Sequence, residues 1–216
     1  VYRRERVLWP GLIEAWELSE DEAEFIDRQQ GVCCVGCGCN LRSIALAGGI
    51  ADAVGFDRPL RELPAARRGL RVLEINPAGG LSGLLRSMPG CEAVAYPAVD
   101  MRRLPQPDGA FDLVVHSDTL EHVEDPGQGL AECRRVLAPG GWLAMTVPTV
   151  PGRMTRSRRG MAASYHGSGD RDRDDHLVHT EFGADTWAML AEAGFERMGV
   201  RVFAWPSGIC WTARRG

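Results

Sequence analysis

The 216-residue sequence predicts a doubly wound α/β fold. Short apolar runs recur at residues 72–75, 93–96, 111–116 and 142–147. Helical patterns at 81–88 and 126–137 alternate with them. Gly- and Pro-containing turns at 76–80 and 139–141 mark the junctions. Strands alternating with helices make a mainly parallel sheet covered on both faces, whose ligands bind at the carboxyl ends of the strands.

The elements follow in chain order. Ser19-Glu20-Asp21-Glu22 reads as a capping box opening a helix that Gly31 stops near Gln30. Residues 33–40 form a Cys/Gly turn, and Asn40 caps a helix from Leu41 to about Val54. Residues 55–70 are a Pro/Arg-rich connection. The run 111–116 is Val/Leu-rich, as a strand buried on both faces requires. In 126–137, Leu130, Cys133, Val136 and Leu137 share one helical face, and Pro139-Gly140 ends it. Residues 148–182 are a long polar segment, of the kind that is usually functional in a compact domain. A helix over 184–193 stops at Gly194, and 195–204 with 209–213 reads as a closing antiparallel hairpin. Only PAVDMRRLPQPDGA separates Tyr96 from Phe111. One crossover helix is therefore expected to be missing there, with 99–101 as a short edge strand. The expected division is an N-terminal helical, Cys-containing lid over 1–65 and a sheet domain over 66–216.

Composition narrows the function classes. With 44% hydrophobic and 25% charged residues, the chain has the balance of a soluble globular protein. The net charge of −4 argues against generic nucleic-acid binding. All 25 basic residues are arginine. No apolar run approaches the ~18 residues of a membrane span. The first residues, VYRRERVLWPG, carry no apolar leader segment. Seven cysteines in a chain able to build a large core suggest reduced thiols rather than a disulfide scaffold. A cytoplasmic location is expected.

In the stretch 71–148, RVLEINPAGGLSGLL, FDLVVHSDTLEHVEDP and LAECRRVLAPGGWLAMTVP resemble, in wording and order, the class I S-adenosylmethionine (SAM)-dependent methyltransferases. The resemblance implies a Rossmann-like sheet, SAM as cofactor and S-adenosylhomocysteine as product. It places Glu74, Asn76, Ala78, Gly79 and Gly80 at the methionyl end of SAM, where the backbone must come close and a helix N-terminus faces a carboxylate. Asn76 and Ala78 stand where the family has glycines, and Pro77 stiffens the turn. Tyr96 occupies the place of the family's ribose-binding acid, so Asp100 is the nearest acid for ribose or adenine. Met101 is expected on the adenine face. His116, Ser117 and Asp118 are expected at the strand end facing the cofactor.

The residues themselves leave the catalytic group open. Tyr165, His166, His176 and His179 fall in the segment that covers the acceptor in the family, and His122 follows the third strand. A histidine near neutral pKa can deprotonate a hydroxyl. Arg42 and Arg153 are candidates for an anionic group on the acceptor. Cys34-x-x-Cys37 is half of a zinc knuckle. Without a second spaced pair, Cys33, Cys34, Cys37 and Cys39 make zinc the less favoured reading. The expected reaction is methyl transfer to a small-molecule acceptor, most directly a hydroxyl of a sugar or specialised metabolite. No nucleic-acid or membrane partner is expected, and a homodimer is the oligomer considered. The rivals are a non-catalytic binding subunit, a metal-dependent enzyme and another reaction run on the same fold.

Overall fold

The computed structural model describes residues 1–165, 176–204 and 207–216. It begins with strand β1 (Tyr2–Arg4), helices α1 (Pro10–Ala15) and α2 (Glu20–Gly31), strand β2 (Val32–Cys34) and helix α3 (Leu41–Ala53). Helix α4 (Leu63–Ala66), β3 (Val72–Ile75), α5 (Ser82–Arg86) and β4 (Cys91–Val94) follow. Next come β5 (Phe111–Ser117), α6 (Pro126–Val136) and β6 (Leu137–Thr146). The chain closes with β7 (Thr149–Val150), β8 (Arg156–Ser157), β9 (Thr180–Gly183), α7 (Thr186–Glu192), β10 (Arg197–Phe203) and β11 (Gly208–Arg214).

The main sheet has the order β10-β11-β6-β5-β3-β4. Strands β4, β3, β5 and β6 are parallel, and the β10–β11 hairpin adds antiparallel to β6. The expected doubly wound sheet and closing hairpin are both present. The crossover is absent as expected: β4 is the last strand on its side, and 99–101 form turns rather than an edge strand. Strand alternation sorts the core into two layers. Leu73, Ile75, Val114, Leu143 and Met145 face α1, α2, α6 and α7, whereas Val72, Leu113, Val115 and Ala144 face α3 and α5.

Arg135 braces the shortened connection. It donates to the Leu104 and Gln106 carbonyls at 2.9 Å each, to Asp108 at 2.6 Å and to both oxygens of Glu132. Glu132 in turn accepts from Leu104 N at 2.8 Å. These bonds fix carbonyls and an amide that helix or strand would otherwise have satisfied.

The capping box at Ser19 is complete, and Asn40 accepts from Ser43 N at 2.9 Å. Gly31 is the last residue of its helix rather than the stop before it. A Cβ there would lie 1.9 Å from Glu5 O, so backbone approach requires the glycine. Two small sheets are absent from the sequence reading: β1–β2, and β7-β9-β8 over 149–183.

Arg153, expected at the acceptor, is a structural clamp. It donates to both oxygens of Glu22, at 2.5 and 2.7 Å, and to the Trp16 and Glu17 carbonyls. The Arg153 guanidinium, with smaller help from Ser19, holds the Glu22 carboxyl down to about 2 against an opposing burial effect. A depressed folded-state pKa stabilises above the unfolded value near 4.5 and is lost as pH falls through about 2. Glu22→Gln is expected to cost about 2 kcal/mol at pH 7. The difference in melting temperature from the parent should shrink steadily from pH 5 and close near pH 2. A difference that is constant with pH would show that the ion pair contributes nothing.

Candidate active site

The sheet order reverses between β3 and β5, and their carboxyl ends open a crevice there. At this point lies a cavity of about 760 Å³, within the range of small-molecule sites. Its floor is the turn after β3. Asn76 has φ +57°, a left-handed conformation that Asn tolerates better than most non-glycine residues. Its Oδ1 accepts from Tyr96 N at 2.9 Å, and its Nδ2 donates to Thr119 Oγ1 at 3.4 Å. The residue replacing a family glycine thus ties together the ends of β3, β4 and β5.

Glu74 is fully buried and does not line the cavity. Its carboxylate accepts from Ala78 N at 2.9 Å and from Arg86 Nε at 2.5 Å, which shapes the turn from beneath. Ala78, Gly79 and Gly80 supply backbone rather than cavity wall. Gly79 has φ +57°, and a Cβ there would lie 3.2 Å from Ser43 Oγ and 3.8 Å from Arg42 Nη2. The glycine thus lets the turn close on the start of α3.

Asp118 stands across the floor, in the left-handed region at φ +45°. It forms an ion pair with Arg42 and accepts from Gln30 Nε2 at 3.1 Å. Burial draws the Arg42 guanidinium down to about 10, opposed by Glu121, so it stays charged at neutral pH. The other oxygen of Asp118, Oδ1, is buried without a hydrogen-bond partner among the described residues. Its neighbours on β5 do not reach the cavity. His116 is fully buried between Ile75 and Met145, with neither ring nitrogen hydrogen-bonded among the described residues, and burial pushes it down to about 4. Ser117 is buried against Thr146 Oγ1 at 2.8 Å. Both were expected at the strand end. Their strand continues through Ser117, so they lie inside the sheet while Asp118 emerges.

On the β4 side, Tyr96, Asp100 and Met101 line the cavity. Tyr96 is half exposed, and Met101 is largely buried against α6. Asp100 is engaged by Arg102, which holds its carboxyl below the ordinary range; Arg102 also bonds Glu124 at 2.7 Å.

The opposite wall carries three histidines, His122, His176 and His179. His122 Nδ1 lies 3.0 Å from Leu177 O, and its ring centroid is 6.3 Å from that of His176. His179 N donates to Glu121 O at 2.8 Å, and its own carbonyl accepts from Arg158 N at 2.9 Å. Burial pushes the His179 imidazole below its ordinary 6.5. Tyr165 pairs in a bridge with Leu177 behind this wall and does not line the cavity. His166 lies outside the described residues. Sequence reasoning missed Gln30 and Asn76's cross-link, because neither carries a spacing signal.

Cys33 and Cys34 at the end of β2, and Cys37 and Cys39 in the turn before α3, carry free thiols. Among the described residues, no group of three or more His, Cys, Asp or Glu is placed to hold a metal ion. The zinc reading therefore finds no support. Among the described residues, no helix is long and apolar enough to cross a membrane.

Residues 33–145 match the family model "Methyltransferase domain". The chain is 42% identical over 69 residues to a probable S-adenosylmethionine-dependent methyltransferase of Mycolicibacterium smegmatis, over 28% of this chain and 27% of that one. It is 33% identical over 110 residues to a ubiquinone biosynthesis O-methyltransferase of Bordetella avium, over 50% of this chain and 39% of that one. A solved SAM-dependent methyltransferase of Thermotoga maritima, a possible histamine N-methyltransferase, aligns over 82% of this chain and 90% of its own. That alignment has 13% identity and a TM-score of 0.45. The matched part spans well under half the length of these curated relatives. The family model covers just over half of the chain and coincides with the sheet strands that build the crevice, so the chain belongs to the class I SAM-dependent methyltransferases.

Proposed function

We propose that this chain transfers a methyl group from SAM to a hydroxyl of a small molecule. The observation that carries the reading is the shared cavity: the turn at Asn76–Pro77 and the histidine wall face one space. The donor set suits the cofactor. Arg42 can take the α-carboxylate, and the unpartnered buried oxygen of Asp118 can take the α-ammonium. Asp100 and Tyr96 stand on the side where ribose and adenine would lie. Bound SAM supplies an electrophilic methyl group on a sulfonium.

The chain's own contribution is placement and proton removal. Holding the acceptor oxygen in line with the methyl group replaces a bimolecular encounter. His179 is the preferred base. Nε2 of His122 lies 3.7 Å from the buried Glu121 carboxylate, whereas burial favours the neutral imidazole of His179, the form that accepts a proton.

Calorimetric titration tests the cofactor site, with micromolar binding of SAM and S-adenosylhomocysteine expected. No binding to folded protein at millimolar cofactor overturns the reading. Methyl transfer to a panel of phenols, catechols and sugars then tests the chemistry. His179→Gln should lower kcat about 100-fold or more. The acidic limb of kcat/KM should fall below pH 6.5, where His179 takes up its proton. An unchanged pH profile in His179→Gln assigns the proton elsewhere.

A further inference from the structure

The methyl-transfer reading leaves unused the cysteine turn that leads into α3. Its geometry is tight. Cys34 N donates to Cys39 O and Gly38 N to Cys34 O, each at 2.8 Å. Gly38 has φ +72°. Cys33 pairs with Asn40, the N-cap of the helix that carries Arg42. Cys34 is part-exposed and Cys37 exposed, so both thiols are open to small reagents. The Cys34 sulfur receives the amides of Cys37 and Gly36 and the thiol of Cys37, which together lower its pKa. Cys39 differs: burial, followed by the neighbouring cysteines, pushes it up to about 11. Its sulfur lies only 2.8 Å from where a Cβ on Gly80 would be. The cysteine turn therefore rests directly on the turn that floors the cavity.

We infer that Cys34 and Cys37 form a dithiol modification site, oxidised reversibly by hydroperoxides to a disulfide that loosens the cofactor turn. Cys34 thiolate attacks the peroxide O–O bond, giving a sulfenic acid and releasing the other oxygen as water or an alcohol. The Cys37 thiol then displaces the sulfenic hydroxyl as a second water, forming the S–S bond. The peroxide is reduced by two electrons and the two thiols are oxidised. A Cys-x-x-Cys turn keeps its Cα atoms within bridging reach. The new bond removes the Cys34 sulfur from the amides of residues 36 and 37, and the turn must rearrange. Cys39 packs against Gly80 where a side chain would not fit, so the shift passes to residues 78–81 and to the start of α3.

The test treats reduced protein with hydrogen peroxide and maps the disulfides by peptide mass spectrometry. A 34–37 disulfide is expected, absent from Cys37→Ser and reversed by dithiothreitol. Phenylarsine oxide should load the reduced parent at one equivalent and leave Cys37→Ser unmodified. Amide hydrogen exchange over 77–82 should quicken on oxidation, and SAM affinity should fall about five-fold, a typical coupling between sites. No 34–37 disulfide, or a disulfide that leaves the exchange of 77–82 unchanged, overturns the inference. The effect on SAM rests on the proposed function. If reduced protein fails to bind SAM, that function falls, while disulfide mapping and exchange still decide the dithiol.

Discussion

Replacing Arg158 with methionine is expected to destabilise the fold by about 3–5 kcal/mol, because it leaves a carboxylate buried without its main cation. Arg158 is 6% exposed and its partner Glu181 4%. Arg158 Nη1 pairs with Glu181, and Nη2 donates to Ala162 O at 2.9 Å. Arg156 holds the other Glu181 oxygen at 2.7 Å. The cluster joins β8 to β9, and β9 begins one residue after His179. Urea unfolding should report the loss as a lower midpoint with an unchanged slope. The double replacement Arg158→Met with Glu181→Leu should recover part of it, since the stranded charge is then removed. A single replacement costing under 1 kcal/mol would mean that water reaches Glu181.

The second large effect is expected at Arg42. Arg42→Met should weaken SAM about 30- to 100-fold, which corresponds to roughly 2–3 kcal/mol. The change removes the guanidinium paired with Asp118 on the cavity wall and strands that carboxylate, whose side chain is 13% exposed. Asp118→Asn should weaken SAM less, since the amide still accepts from Gln30 and can still face an ammonium. Calorimetry on both variants measures this, with melting curves to confirm folding. A rise in acceptor KM alone, with SAM affinity intact, would return Arg42 to the acceptor-binding role its sequence context first indicated.

Much of the architecture was legible because it rests on local signals. The capping box at Ser19, the Asn40 cap and the continuous apolar runs of β3 and β5, buried on both faces, are written in adjacent residues. The absent crossover could be read from the shortness of the connection after Tyr96. The small sheets were hidden because strands of two to four residues carry too little periodicity to register. Arg153 was misread for a different reason. An arginine-rich surface run and a clamp on Glu22, 131 residues away, look alike until the chain folds. His116 was misread because it lies two positions before Asp118, still inside the buried strand, and of the two only Asp118 lines the cavity. Asn76 shows the reverse: the residue standing where the family has a glycine is a cross-link between three strand ends.

The shortened connection braced by Arg135 also bears on how the chain reaches its fold. The β3–β5 ladder is the central parallel pair, and Arg71 and Asp112 at its start lie 41 residues apart. Parallel neighbours are slow to meet because a long intervening loop must close before any contact rewards it. Removing a helix and strand from that loop lowers the closing entropy and the sequence separation of the pair. The trimmed connection therefore moves the central ladder towards the early, rate-setting part of folding. In the folded chain Arg135 locks the segment whose ends the sheet brings together.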